Sequence, residues 1–130
     1  GMIRDKRVGY WTRTTMKSRL GDVSEEMTEW WISLFSGNSR RVISEIVAYA
    51  ETVDLAPLLP NIKVPTLMLT GDSGQLAAVE AVKKWKSLMP DCRLEVIKSN
   101  SYHIAAAEPD ACVAALLSFL SSLPAAGNRR

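Results

Sequence analysis

The chain contains a single histidine, His103, which is its most informative candidate for chemistry. It follows a run at residues 93–98 that predicts a short strand, and it precedes a helix predicted to begin at Glu108. An imidazole in a loop just after a strand is suited to general-base catalysis, because its pKa lies near neutrality. The alternative interpretation is a polar loop residue that only forms hydrogen bonds with its neighbours.

A histidine base acts on a nucleophile, and the sequence contains no Gly-x-Ser-x-Gly turn of the kind that exposes a catalytic serine. Ser73 comes nearest, in the sequence Gly-Asp-Ser-Gly-Gln at residues 71–75, but a glutamine stands where the second glycine is needed. Ser99 and Ser101 lie close to His103, yet loop serines more often bond to the backbone. We therefore favour a structural role for all three serines.

Asp72, Trp30 and Trp31 are the remaining candidates for a site. Asp72 is a weak candidate for a catalytic acid, because an aspartate at the end of a strand more often stabilises a turn. Trp30 and Trp31 are candidates for lining a substrate pocket. At helical spacing with Met27 and Phe35, however, they are more often core or subunit contacts.

Composition excludes several classes of function. The net charge is +2, from 16 basic and 14 acidic residues, which is too balanced to favour nucleic acid or an anionic membrane. No stretch approaches the roughly 20 apolar residues of a membrane span. Cys92 and Cys112 are far apart and lack the spacing of a zinc site, so we expect neither metal nor disulfide, and a reducing cytoplasm as the compartment.

The elements that position the candidate residues change character near residue 54. Residues 2–53 predict helices, with a short helical turn near residues 12–19. Ser24 is the expected N-cap of the next helix, because two glutamates follow it in the first turn, and Gly37 is its expected end.

Residues 54–123 predict a parallel β-α-β-α unit. Its strands are expected at residues 64–70 and 93–98, and its helices at residues 76–89 and 108–123. The first strand is continuously apolar, which is typical of a strand buried on both faces. Residues 124–130 are expected to be a frayed tail.

The second half of the chain resembles the C-terminal portion of the α/β-hydrolase superfamily. The resemblance lies in residues 54–72, Asp-Leu-Ala-Pro-Leu-Leu-Pro-Asn-Ile-Lys-Val-Pro-Thr-Leu-Met-Leu-Thr-Gly-Asp, in the strand at 93–98, and in the histidine loop followed by Glu108-Pro109. The helices at 24–52 are similar, more loosely, to the lid helices of that family. The resemblance implies an α/β class: a partial α/β-hydrolase fold with a helical lid-like segment before a parallel β-α-β-α unit.

The resemblance also implies roles for individual residues. His103 matches the base of a serine-type ester, lactone or C–C bond hydrolase, which uses no cofactor. The usual acid position falls on Gly74, so Asp72 would have to substitute for it, or the acid would come from an earlier strand. The nucleophile turn and the oxyanion-hole loop would precede residue 2. We therefore expect a C-terminal fragment that is inactive alone; the alternatives are a subunit of a split hydrolase and a non-catalytic small-molecule binding or dimerisation module.

Association is a further expectation. Two strands alone would leave both edges of the sheet open, and natural proteins avoid exposing such edges. Trp31, Leu34 and Phe35 would form a bare apolar face on the lid segment. We therefore expect either a homodimer or a complex with a separate chain that supplies the N-terminal half of a hydrolase.

Overall fold

A computed structural model of the chain describes residues 8–74 and 78–124. Expectations that concern residues 2–7, the start of a helix at residue 76 and the tail from residue 125 lie outside these ranges. The elements are α1 (Val8–Leu20), α2 (Glu25–Ser36), α3 (Arg40–Ala50), a 3-10 helix (Ala56–Asn61), β1 (Thr66–Gly71), α4 (Val79–Leu88), β2 (Cys92–Ile97), α5 (Ile104–Ala107) and α6 (Pro109–Ser122). None of the helices in the described ranges has the length and apolar character needed to span a bilayer.

Strands β1 and β2 pair in parallel, as the sequence predicts. The register runs from Thr66 opposite Cys92 to Gly71 opposite Ile97. Helix α4 connects the two strands and contacts both of them, and α6 also contacts both. The expected α/β class, with helices first and a β-α-β-α unit after them, is confirmed.

The expectation that the first strand is buried on both faces is wrong. In β1 only Thr70 and Gly71 are buried, and the preceding residues of the strand are partly exposed. Helices α4, α5 and α6, which contact β1, leave its first four residues partly exposed. The sheet of the described residues has two strands, so the edge of β1 away from β2 also has no strand beside it. A cavity of about 400 Å³ borders β1 and is lined by, among others, Leu69, Trp85 and Tyr102.

Helix α1 is longer than the turn that the sequence suggests near residues 12–19. Its four buried residues, Val8, Thr12, Met16 and Leu20, recur every fourth position and so form one face. Burial of this face stabilises a helix whose sequence has no strong helical pattern. Tertiary packing, rather than local preference, therefore determines its length.

The caps of α2 agree with the sequence. The Ser24 side chain accepts a hydrogen bond from the backbone N–H of Met27 at 3.1 Å, and Gly37 follows the last turn. The helical core consists of Met16, Leu20 and Ile32, with Val23, Trp31 and Phe35 packed against it.

The expected bare face of Trp31, Leu34 and Phe35 is therefore wrong for two of its three members. Trp31 and Phe35 pack against the core, and only Leu34 is exposed. The exposed apolar face of the helical segment lies instead on α3. This helix has no buried residue, and it exposes Val42 and Ile46.

Candidate active site

The backbone of the histidine loop, residues 98–103, is fastened to the end of α1. The carbonyl oxygen of Arg19 accepts a hydrogen bond from the N–H of Tyr102 at 2.8 Å and a longer one from the N–H of His103 at 3.4 Å. The side-chain oxygen of Asn100 accepts a bond from the N–H of Asp22 at 3.0 Å. The last carbonyl groups of a helix lack partners within the helix, so the loop supplies donors that α1 needs.

Gly21 allows this close approach. Its φ is +70°, in the left-handed region that residues with a side chain rarely adopt, and it directly follows α1. A Cβ atom at this position would collide with the Asn100 side chain. Helix α1 therefore ends in a turn that only a glycine fits while the loop is docked.

The other side of the loop is fastened to the end of β1. The carboxylate of Asp72 accepts bonds from the N–H of Ser99 and from the hydroxyl of Ser73, both at 3.0 Å. A Cβ at Gly71 would collide with the carbonyl oxygen of Ser99. Asp72 is thus engaged with the start of the loop, and no hydrogen bond or ion pair between it and His103 occurs in residues 8–74 and 78–124.

The imidazole of His103 lies between three side chains. Its ring stacks on that of Trp31, with 4.9 Å between centroids and 21° between planes, and Tyr102 packs edge-on at 5.2 Å. The Nη2 atom of Arg19 lies 3.2 Å from Nε2 of His103. Aromatic contacts and the two backbone bonds to the loop thus fix both the position and the plane of the ring.

The contact with Arg19 defines the tautomer of His103. A guanidinium has donors and no acceptor, so Nε2 must accept and the proton of the neutral ring lies on Nδ1. Burial lowers the pKa of His103, and the positive charge of Arg19 lowers it further. Burial and the adjacent guanidinium thus both favour the neutral imidazole over the imidazolium, with the lone pair on Nε2 facing Arg19.

Arg19 is a member of the site that the sequence did not indicate. It lies 84 positions before His103, in a helix without strong periodicity, and no motif marks it. Its guanidinium lies over the rings of Trp11 at 5.6 Å and Phe35 at 5.4 Å. Burial lowers the pKa of Arg19, while the nearby Tyr102 raises it by a smaller amount.

The three serines weighed from the sequence make backbone or local contacts. Ser73 donates to Asp72, Ser99 accepts from the N–H of Ser101 at 3.3 Å, and the Ser101 hydroxyl donates to the carbonyl of Arg19 at 3.4 Å. None of them is bonded to the His103 ring. Within the described part of the chain, no group of three or more metal-ligating side chains could hold an ion.

Trp30 and Trp31 have different environments. Trp31 stacks on His103, whereas Trp30 is 55% exposed and meets Trp31 edge-on at 5.6 Å. The structure therefore brings one of the two tryptophans to the histidine and leaves the other on the surface beside it.

The sequence and the structure of the chain were compared with those of known proteins. No protein-family model matches the chain. A curated relative, a non-heme haloperoxidase from Rhodococcus erythropolis, is 30% identical over 103 residues, which are 78% of this chain and 37% of that protein. An esterase from Exiguobacterium antarcticum superposes with a TM-score of 0.83 at 20% identity, covering 92% of this chain and 45% of the esterase.

Two further solved structures superpose on nearly the whole chain. A hydrolase from Oleispira antarctica has a TM-score of 0.79 at 21% identity, and MenH from S. aureus one of 0.68 at 21% identity. They cover 93% and 92% of this chain. This chain is a C-terminal portion of the α/β-hydrolase fold. It spans less than half the length of each of these four proteins.

Within this α/β-hydrolase portion, the position that the family resemblance assigns to the acid is Gly74. A Cβ placed there would lie 3.4 Å from the carbonyl oxygen of Ser101, so the position borders the histidine loop. It carries no carboxylate, and Nδ1 of His103 has no hydrogen-bond acceptor among the described residues.

Proposed function

We propose that this chain is the histidine-bearing part of a serine-type hydrolase site for esters, lactones or activated C–C bonds. The observation that carries the proposal is the position of His103, held on a loop after β2 with its Nε2 atom 3.2 Å from the donor Nη2 of Arg19. A base that will take a proton from a hydroxyl must accept a hydrogen bond at that atom.

The chemistry of the completed site follows from this orientation. Nε2 would take the proton of a serine hydroxyl as the serine oxygen attacks the carbonyl carbon, and would then give that proton to the leaving group. The stack on Trp31 and the bonds to Arg19 hold the ring while this happens. Arg19 would have to leave Nε2 first, because a nitrogen with one lone pair accepts one such bond.

We infer that the chain does not hydrolyse esters by itself. The three serines nearest the site are bonded elsewhere, Gly74 supplies no acid, and Arg19 occupies the base nitrogen. The test is intact-mass analysis after treatment with a fluorophosphonate, with His103→Ala as the control. No adduct is expected on either protein; labelling of the wild type that is lost in His103→Ala would overturn this part of the proposal.

We further propose that other residues complete the sheet at the open edge of β1. The unpaired edge and the cavity beside Trp85 support this, because an exposed edge pairs readily with another strand. The covering strands would come from another part of the same polypeptide, from a separate chain, or from a second copy in a homodimer.

Cys92 and Cys112 are both free, which supports the proposal of a reducing cytoplasm.

A small-molecule binding module without catalysis is the second candidate. The contact between Arg19 and Nε2 of His103 favours it, since a base whose lone pair is engaged by a guanidinium cannot accept a substrate proton. In a completed site that includes a serine nucleophile, the Arg19→Gln variant distinguishes the two. If fluorophosphonate labels that serine with Arg19→Gln but not with the wild type, the catalytic interpretation is favoured and Arg19 restrains the base; no labelling with either form favours the binding module.

A further inference from the structure

Helix α3 carries an apolar stripe that is exposed to solvent. Val42, Ile46 and Tyr49 are 45%, 58% and 72% exposed. They are separated by four and then three positions, so they lie along one side of the helix. No residue of α3 is buried, and no other helix or strand among residues 8–74 and 78–124 packs extensively against it. Spacing by four and three is the pattern by which two helices pack side by side in a coiled coil.

The same stretch of chain exposes further large apolar side chains after the helix ends. Val53 lies beyond the last turn of α3, Leu55 caps the 3-10 helix, and Leu58 lies within it; all three are exposed. An accumulation of exposed apolar side chains in one segment marks an interaction surface, because isolated soluble proteins seldom expose large apolar patches.

The charges at the two ends of α3 indicate what kind of helix fits the stripe. Arg40 and Arg41 lie in the first turn, and Glu51 is the C-cap; the first turn has no acidic residue and the last turn no basic one. This distribution opposes the dipole of the helix itself, whose positive end is the N-terminus. An antiparallel neighbour with the same pattern would place its acidic end beside these arginines and its basic end beside Glu51. A parallel neighbour would bring like charges together.

We propose that α3 binds α3 of a second copy of this chain, in antiparallel orientation, about a two-fold axis near the middle of the helix. A helix that is basic at one end and acidic at the other is complementary to itself in that orientation, and a two-fold axis lets both copies use the same surface. Val42, Ile46 and Tyr49 pack on the stripe of the second copy. Arg40 of each copy lies close to Glu51 of the other.

The inference goes beyond the proposed function, because it uses no residue of the histidine loop and no strand. Completion of the sheet at the edge of β1 concerns another element, so both contacts can occur in one assembly. Failure of the helix pairing would leave the role of His103 and the open edge of β1 unaffected.

The first experiment exchanges charges on the whole chain. Sedimentation equilibrium measures the dimer dissociation constant of the wild type, of Arg40→Glu, of Glu51→Arg and of the two variants mixed. We expect each variant alone to dimerise about tenfold more weakly or worse, because the two-fold axis creates a like-charge contact at both ends of the helix pair. The mixture should recover the affinity of the wild type, since the acidic ends of one variant meet the basic ends of the other. Lys84→Glu, on the exposed face of α4, changes the net charge equally and should dimerise like the wild type.

The second experiment locates the contact by cross-linking. In a chain with Cys92→Ala and Cys112→Ala, Ile46→Cys places one thiol on the stripe, and Ala48→Cys places one on the opposite side of the same helix, which is also exposed. Under mild oxidation we expect a disulfide-linked dimer with Ile46→Cys and none with Ala48→Cys. Circular dichroism establishes that each variant folds. If either charge variant is unfolded, Arg41→Glu and Glu51→Gln replace them, and both should weaken the dimer.

Three results would each overturn the inference. The first is a single-chain mass for the wild type at every concentration, which would assign the stripe to another segment of a longer hydrolase. The second is a mixture of Arg40→Glu and Glu51→Arg that dimerises no better than either variant alone. The third is equal cross-linking through Ile46→Cys and Ala48→Cys.

Discussion

Arg19 and His103 meet across two elements that are distant in the sequence, with 3.2 Å between Nη2 of the arginine and Nε2 of the histidine. The carbonyl group of the same arginine accepts the backbone hydrogen bonds of Tyr102 and His103. One residue of α1 therefore both holds the histidine loop in place and occupies its basic nitrogen. The predictions below concern the strength and the consequences of this arrangement.

The first prediction concerns the protonation of His103. We expect its pKa, measured by NMR titration of the Cε1 proton, to lie below 6.5, the ordinary value for histidine. In Arg19→Gln the pKa should rise, because the positive charge that disfavours the imidazolium is removed, although burial still lowers it. Arg13→Gln should leave it unchanged. A pKa above 6.5 in the wild type would contradict the geometry of the site.

The second prediction concerns stability as a function of pH. The folded pKa of His103 is lowered, so the unfolded chain binds the proton more readily than the folded one. The contribution of the neutral ring is present above pH 6.5 and is lost as the pH falls through the folded pKa. Urea denaturation of the wild type and of His103→Gln, compared from pH 7.5 to 5 (about the range in which histidine titrates), should show a steeper loss in the wild type. Parallel curves would exclude His103 as the cause.

The third prediction concerns the contact between β1 and the histidine loop. Gly71→Ala places a methyl group against the backbone of Ser99, which cannot move without shifting the loop. We expect a loss of about 1–3 kcal/mol in the free energy of unfolding, as for overpacked interiors. Gly37→Ala is the matched control, because its new Cβ meets nothing closer than 3.9 Å. Equal stability of the two variants would mean that the loop is not docked on β1.

The fourth prediction separates a structural from a catalytic role for Asp72. Asp72→Ala leaves the buried N–H of Ser99 without an acceptor and should lower the free energy of unfolding by about 1–3 kcal/mol. Asp72→Asn keeps an acceptor oxygen and should lose less. Asp91→Ala, an exposed aspartate whose side chain makes no hydrogen bond among the described residues, is the control. If Asp72→Asn shifted the titration of His103 strongly while leaving stability intact, the acid role would be favoured instead.

The fifth prediction concerns association. Light scattering over a range of concentrations should give a mass above that of one chain, because α3 exposes Ile46 and α6 exposes Leu117, each more than half accessible. Ile46→Lys and Leu117→Lys test the two faces separately, and the variant that restores the mass of one chain identifies the contact. A single-chain mass for the wild type at every concentration would contradict the dimer proposal.

Local patterns predicted much of the fold. The apolar run after Val64 predicted the first strand, and the helical spacing before Pro90 predicted the helix that connects it to the second. Together they predicted the parallel strand pair, because each pattern is contained within one short segment of the chain. The caps at Ser24 and Gly37 followed from single residues that satisfy helix ends. The burial of β1 could not be predicted from a local pattern, because it depends on the elements that cover the strand in the folded chain.

The sequence by itself determined the class of the fold, the order of its elements and the place of His103 after the second strand. Each of these depends on residues that are neighbours in the chain. Only the tertiary structure decided that Asp72 serves the backbone of the loop, that Trp31 stacks on the imidazole while Trp30 stays exposed, and that Arg19 lies on Nε2. The physical reason is that these contacts join α1, α2 and β1 to one loop. The environment of a titratable group is set by whichever side chains surround it in space, and no local pattern records them.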